Sequence, residues 1–326
     1  MKLHIIAICL DHLIINQAYG RTIMKRITVT MAVLFVILVW SGSFFVFAKS
    51  SDTDRAAFEA IQGEILKIEI PVPKDFTNVK GVWKGQPVIF FRFEHSNMMG
   101  ALLGIDLASK LGKDTLDVTL RSSQGVERRQ YFVDVRDANF PVQTLTLPSK
   151  MVDLDSNTLK RVQREARHLR SLFTQTNTPR MWGEGFIVPL EGKISDAFGR
   201  KRIINGQKKN PHTGEDISAP HGAEVKVSNH GIVRLSTDQF FSGKSILVDH
   251  GLGLFTMYFH LSEMKVKEGE TVRRGQVIGL VGASGRATGP HLHWGARLNN
   301  ARVDPYDLMK IKAPVETNIT LNEVME

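Results

Sequence analysis

The sequence predicts an all-β chain: two β modules in series, joined by one helix. Three observations predict it. Residues 64–148 alternate apolar and polar side chains with a period of two, with turn signals between the runs. Residues 155–175 switch to a three-and-four spacing. Residues 184–312 return to short apolar runs broken by glycines, with no helix of useful length before the tail. The chain has 326 residues, 42% hydrophobic and 23% charged, which is a globular composition of about two domains. Wholesale disorder, collagen and a polytopic membrane protein are excluded.

At the N-terminus, Met1–Ile23 has no evident role, and Met24-Lys25-Arg26 reads as a natural start. We expect residues 1–23 to be an untranslated upstream extension. Residues 24–48 are expected to be a signal peptide or a membrane anchor. Ile27–Ala48 carries no charge over 22 residues, long enough to span a bilayer, and Lys25 and Arg26 before it favour a cytoplasmic N-terminus. Val46-Phe47-Ala48 is similar to a small-residue cleavage site, so cleaved and retained forms both stay open. The only cysteine is Cys9, which rules out a disulfide framework and a thiolate zinc site. Any metal would be held by Asp, Glu or the 11 histidines. The formal charge is +9 for the whole chain, and residues 1–48 hold four basic residues against Asp11, leaving 9 − 3 = +6 for residues 49–326. A basic exported chain suits an anionic partner such as cell wall or lipid headgroups, and export argues against nucleic acid.

Within 64–148, Leu66, Ile68, Ile70 and Val72 alternate with polar residues, as do Leu116, Val118 and Leu120. Tyr131, Val133 and Val135 follow a Ser122-Ser123-Gln124-Gly125 turn. This predicts a small antiparallel sandwich, immunoglobulin-like, serving as a spacer or binding module. His95 is read there as a surface residue. In 155–175, Leu159, Val162, Ala166, Leu169 and Leu172 or Phe173 form one stripe, and Asp155 or Ser156 can cap the start. The opposite face is basic: Lys160, Arg161, Arg164, Arg167 and Arg170. A polar linker, 176–183, leads to the 184–312 module, and residues 313–326 form a tail.

Chemistry concentrates in that last module. His212 and Asp216 lie four apart in Pro211-His212-Thr213-Gly214-Glu215-Asp216. Pro211, Gly214 and Pro220 argue against a helix, so the pair is read as spanning a loop and a strand start. His291 and His293 lie two apart in Gly289-Pro290-His291-Leu292-His293-Trp294, so in a strand both face one side while Leu292 packs behind. His260 is read as closing a strand. Two imidazoles and one carboxylate make a zinc site with a fourth position left for water. His212, Asp216 and one histidine of the pair fill the three places, and the spare histidine and His260 can move protons.

With Phe198-Gly199, Tyr258-Phe259-His260-Leu261-Ser262, the Val266–Gly279 hairpin and Thr288-Gly289-Pro290-His291-Leu292-His293-Trp294-Gly295, this region resembles the M23 zinc metallopeptidases of the lysostaphin/LytM type. The resemblance covers about residues 186–308. It implies an antiparallel-β peptidase domain with Zn2+ on His212, Asp216 and His293. It also implies catalytic roles for His260 and His291: His291 as general base, and His260 stabilising the oxyanion or passing a proton to the leaving amine. The implied activity is a zinc-dependent endopeptidase acting on peptide cross-links of peptidoglycan, with a water activated on the metal attacking the scissile carbonyl. The implied place is the periplasmic side of the cell envelope. Phe259 departs from the small residue many members carry there, and is expected to narrow the cleft.

The alternative is a silent LytM-type module that binds wall and activates another hydrolase, which would fit the loss of a ligand; none is lost. A lipoyl or biotinyl carrier lacks its lysine at a tight turn. His250 is read as structural or supporting, His230 and His221 as turn residues, and His168 as solvated. Arg200-Lys201-Arg202 and Lys208-Lys209 read as a solvated charge run, with a role toward a substrate carboxylate kept open by their place before His212. A regulatory envelope partner is compatible with the modular layout, in which the helix or the β module can cover a cleft.

Overall fold

A computed structural model describes residues 57–92, 97–145, 154–174, 179–208 and 211–311. The readings of residues 1–48, His95 and the tail lie outside these residues. Among the described residues no helix is long and apolar enough to cross a membrane.

The first β region runs β1 Ala57–Ile61, β2 Ile65–Pro71, β3 Phe76–Trp83, β4 Gln86–Val88, β5 Phe90–Arg92, β6 Met98–Gly104, β7 Gly112–Ser122 and β8 Gly125–Arg136. One sheet has the order β1-β8-β7-β3-β4 and a second the order β2-β6-β5. The alternating residues do what their period requires. Ile68 and Ile70 from β2, Leu116, Val118 and Leu120 from β7, and Tyr131, Val133 and Val135 from β8 share one buried core between the sheets. The turn between β7 and β8 falls at Ser123-Gln124. Strand β1 pairs in parallel with β8, a partnership no local pattern announces.

Strand β9, Val142–Leu145, then leaves this region and pairs in parallel with β11, Lys201–Ile204, far along the chain. Helix α1 covers Ser156–Phe173, capped by Asp155, whose carboxylate accepts from the backbone N–H of Asn157 and Thr158. Its apolar stripe ends in buried Leu172 and Phe173, which pack on Leu235, Leu247, Phe255 and Met257. The cationic side faces outward: Lys160, Arg164, Arg167 and Arg170 are exposed, and so is His168.

The large sheet comprises β10 Lys193–Asp196, β13 Gly214–Ser218, β14 Glu224–Lys226, β15 Gly231–Gln239, β16 Gly243–Gly251, β17 Leu254–Met264, β18 Thr271–Val272, β19 Val277–Val281, β20 His291–Leu298 and β21 Ala301–Val303, with β12 at Gln207–Lys208 pairing β11 apart from it. Its path is β10-β13-β20-β17-β16-β15-β18, and β19 joins β14 and β17. The expected Val266–Gly279 hairpin does not form. Strand β18 pairs with β15, while β19 pairs with β14 and β17. The two strands bracket the Arg273–Gln276 turn but hydrogen-bond to different neighbours, because each covers a different exposed edge. The sheet has two faces. Ile217, Tyr258, Leu292 and Trp294 point into the main core. Phe255, Met257 and Phe259 point to the opposite face, toward α1.

The first β region is tied to the end of the large sheet by a charged fork. Arg302 donates from its backbone N–H and Nε to Asp106 Oδ2, both at 2.9 Å, and from a terminal nitrogen to Asp106 Oδ1 at 2.6 Å. Asp304 donates its backbone N–H to Gly63 O, and Asp307 Oδ2 accepts from Ile65. Partial burial works to raise the Asp106 carboxyl, but the Arg302 guanidinium and the backbone N–H groups of Arg302 and Ala108 outweigh it and hold it below its ordinary 3.8. A depressed folded-state value stabilises the fold at pH above the unfolded value, and that contribution disappears as pH falls through the folded value. Asp106→Asn is therefore expected to lower unfolding free energy at pH 7 by about 1.5–3 kcal/mol. The gap from wild type should shrink in urea melts run below pH 3.8.

Candidate metal centre

Three adjacent strands carry the site. In the antiparallel register, Asp216 of β13 lies opposite His293 of β20, and His293 lies opposite Phe259 of β17. His291, two residues before His293, lies on the same face, opposite Ser218. His212 stands in the loop before β13. It is held by paired backbone bonds, Gly199 N–H to His212 O and His212 N–H to Arg200 O, both 2.9 Å.

His212 Nε2, Asp216 Oδ1 and His293 Nδ1 converge. The separations are 3.0 Å for His212–Asp216, 3.0 Å for His212–His293 and 2.8 Å for His293–Asp216. His212 and His293 are buried, and Asp216 is partly buried. The Nδ1 of His212 lies 3.1 Å from Ala197 O, so that nitrogen carries the proton and Nε2 turns a bare lone pair toward the cluster. That lone pair faces a carboxylate oxygen. Two acceptors at hydrogen-bond distance repel unless a cation lies between them. These three residues can hold a metal ion, their donor atoms all lying within 4.8 Å of one another. Two neutral nitrogens, one anionic oxygen and the Ala197 carbonyl behind one imidazole fit zinc with an open fourth position.

Burial acts to raise the Asp216 carboxyl, but the His212 and His293 imidazoles beside it outweigh burial and hold it well below the usual range. Burial pushes the His293 imidazole down, against the pull of Asp216. Beside Asp216, Glu215 is buried and pushed up to about 7, chiefly by desolvation. It accepts from the backbone N–H of Phe198 at 3.1 Å and braces the loop that carries Ala197.

The remaining two histidines flank the cluster. His291 Nδ1 lies 2.8 Å from Gly289 O and His260 Nδ1 lies 2.8 Å from Ser284 O, so both present a bare Nε2. Their rings are 4.8 Å apart, and His291 Nε2 lies 3.8 Å from Asp216 Oδ1. Burial lowers His260 to about 4, which keeps it neutral at pH 7.

His260 does not close a strand. It sits inside β17 with φ +63°, where the strand stops pairing with β20 at Phe259 and starts pairing with β19 at Leu261. The left-handed turn there aims the ring at the cluster. Phe259 does not simply narrow a cleft: its ring is stacked on His293, centroids 5.4 Å apart and planes within 4°. Gly214 is required by close approach, since a Cβ there would come within 2.5 Å of Trp294 O and 2.7 Å of His293 Nε2. Asp196, Ala197, Glu215, Ser284 and Gly289 were not singled out by sequence. Their roles are set by long-range packing; Glu215 and Gly289 lay within the quoted motifs and Phe198-Gly199 adjoined Asp196 and Ala197, but none of these local signals gave the role. His250 is fully buried, with its ring nitrogens bonded to His230 O and Thr256 Oγ1 at 2.7 Å each, a structural role. His230 and His221 lie in turns.

The fold and the site define a mononuclear His-Asp-His metal centre on an antiparallel sheet. The sequence pattern of Peptidase family M23 matches residues 210–305. A solved structure of a protein assigned to peptidase M23 from Pseudomonas aeruginosa is 32% identical, covers 74% of this chain and 92% of that one, and superposes with a TM-score of 0.58. The chain belongs to peptidase family M23. Peptidoglycan DD-endopeptidase ShyA of Vibrio cholerae is 35% identical over 140 residues, which is 43% of this chain and 32% of that protein. DD-carboxypeptidase/endopeptidase Mpg of Neisseria meningitidis is 44% identical over 113 residues, 35% of this chain and 26% of that protein. The matches thus span a third or less of the length of these curated relatives.

An aromatic stack is worth about 0.5–1.5 kcal/mol beyond burial. Phe259→Ala is therefore expected to weaken zinc binding by up to about tenfold in a chelator competition titration. Gly214→Ala is expected to cost about 1–3 kcal/mol in a thermal melt, because backbone and ring must both move.

Proposed function

We propose that this protein is a zinc-dependent endopeptidase that hydrolyses peptide cross-links of peptidoglycan in the cell envelope. The observation that carries the reading is the convergence of His212, Asp216 and His293, with His260 and His291 beside them, each holding a main-chain carbonyl through Nδ1. A relative named as a peptidoglycan DD-endopeptidase and one named as a DD-carboxypeptidase/endopeptidase support the substrate class. His212, Asp216 and His293 would hold the metal. When bound, zinc supplies Lewis acidity toward a carbonyl oxygen and lowers the pKa of a coordinated water.

The chain's own residues do the rest. His291, its Nδ1–H fixed on Gly289 O, offers Nε2 to take a proton from the attacking water. His260, fixed on Ser284 O, stands next to His291, the two rings 4.8 Å apart. Neutral at rest, it is suited to receive a proton and hand it to the leaving amine. Buried surroundings keep both from being screened by bulk water. The two-sheet region before α1 would act as an immunoglobulin-like spacer or binding module, meeting the wall polymer or a regulatory envelope protein. The uncharged run Ile27–Ala48 would export the chain to the periplasmic side, as a cleaved signal or a single anchor.

The test uses the purified, zinc-loaded chain on Gram-negative and Gram-positive peptidoglycan, with released fragments read by mass spectrometry. Cross-linked dimers should fall as new monomer peptides appear. His293→Ala should lose both zinc and activity. His291→Ala should keep stoichiometric zinc while losing about 10²–10⁴ in rate, the usual range for a general base. Stoichiometric zinc without any product from wild type would overturn the reading.

A further inference from the structure

Helix α1 lies outside residues 210–305, the stretch that matches the peptidase family. It nevertheless shares a face of the large sheet with the metal centre, because Phe259 packs against the α1 cluster and stacks on His293. Glu165 is the one acidic side chain within this otherwise basic helix. It does not join the exposed cationic side. Its Oε1 accepts from Arg161 Nε at 2.7 Å, and its Oε2 accepts from the backbone N–H of Phe240 at 3.0 Å. A terminal nitrogen of Arg161 donates to Asp238 O at 3.2 Å. The pair therefore grips both sides of the turn between β15 and β16. A carboxylate on a backbone N–H is a charge-assisted bond, stronger than an ion pair in water.

The far side of the same turn holds His260. Ser242 O accepts from the His260 backbone N–H at 2.8 Å. Lys244 N–H donates to Ser284 Oγ at 2.9 Å, that hydroxyl donates to Leu261 O at 2.8 Å, and Ser284 O holds His260 Nδ1 at 2.8 Å. Phe241 O accepts from Arg286 N–H at 2.8 Å. The turn and the 284–286 segment fit without slack: a Cβ on Gly243 would strike Ser284, and one on Gly285 would strike the Gly243 backbone. Both the backbone and the ring of His260 are thus held from this turn. They need holding, since φ +63° is a costly conformation for a residue with a side chain and persists only where its surroundings impose it.

We infer that Glu165 is a positioning residue for His260: from α1 it fixes the Phe240–Ser242 turn, and the turn fixes the histidine that passes the proton to the leaving amine. His260 has that task on the endopeptidase reading above, on which this inference rests. A helix outside the family match then sets the geometry of a proton transfer inside it. The effect falls on kcat, because what is lost with Glu165 is the aim of a reacting group and not a contact with substrate.

The experiment uses the full zinc-loaded chain and two readouts: kcat and KM on a purified cross-linked peptide dimer, and amide hydrogen exchange of the turn and of His260. Glu165→Ala is expected to lower kcat by about ten- to a hundredfold, with KM unchanged and zinc still stoichiometric. The His260 amide should exchange at least about tenfold faster in that variant. Glu165→Gln keeps an oxygen for the Phe240 N–H and should recover most of the rate. On a His260→Ala background, Glu165→Ala should cost nothing further, since the residue it acts through is gone. An equal loss on that background would assign Glu165 to holding α1 on the sheet and overturn the inference. So would an unchanged His260 amide in Glu165→Ala. Should Glu165→Ala melt before it can be assayed, Arg161→Gln, which releases Asp238 O alone, is read in the same way with smaller losses. A wild-type chain that binds zinc and cleaves no dimer overturns the function reading, while the exchange comparison still decides whether Glu165 holds His260.

Discussion

Everything at the site depends on one row across the sheet. Asp216, His293 and Phe259 stand side by side on β13, β20 and β17 because their strands pair in a single register. A shift of one residue would send the carboxylate and imidazole into the apolar core and bring Ile217 and Leu292 out. The buried side of the same strands prevents that shift. Ile217, Leu292, Trp294 and Tyr258 are fully buried behind the site, and moving each large apolar side chain to solvent costs about 1.5–3 kcal/mol. The register that the hydrophobic core enforces is thus the register that assembles the metal centre.

The parts outside that row are held by backbone rather than by packing. His212, His260 and His291 each give one ring nitrogen to a main-chain carbonyl, of Ala197, Ser284 and Gly289 respectively. The same device sets the tautomer three times and leaves Nε2 bare three times. It also makes the 196–202 and 282–291 loops part of the chemistry, since a displaced carbonyl would turn an imidazole. The 282–291 loop lies against the β15–β16 hairpin tip and the 196–202 loop against Phe140, so their positions depend on contacts remote in sequence.

The histidines and Asp216 were legible in the sequence because strand alternation and the glycine-proline frame are local signals. The helix was legible too, with Asp155 and Ser156 both open as its cap and Asp155 taking the place, because a three-and-four stripe behind a capping side chain needs no tertiary context. What escaped was set at long range. The bend of β17 at His260 comes from a change of partner strand, which no alternation within Tyr258-Phe259-His260 reveals. The stacking of Phe259 needs the cross-strand neighbour. Strand β1 and the β9–β11 pair join residues separated by most of a domain. The 266–279 segment misled because its glycine-containing turn suits a hairpin, while its two strands had stronger claims on other edges.

The β9–β11 pair has a bearing on how the polypeptide can be divided. Strand β11 leads toward the His212 loop, and one of its sides is covered by β9 from the other β region. Phe140, just ahead of β9, sits edge-on against Phe198, so close to Gly199 that a Cβ there would strike its ring at 2.1 Å. Excising the peptidase half alone would strip both covers. The result is a raw strand edge bearing Lys201 and Arg202, and a solvent-exposed phenylalanine next to the segment that holds a metal ligand. An open edge of that kind recruits further chains, so a trimmed fragment is liable to self-associate through the side of the molecule nearest its own metal centre.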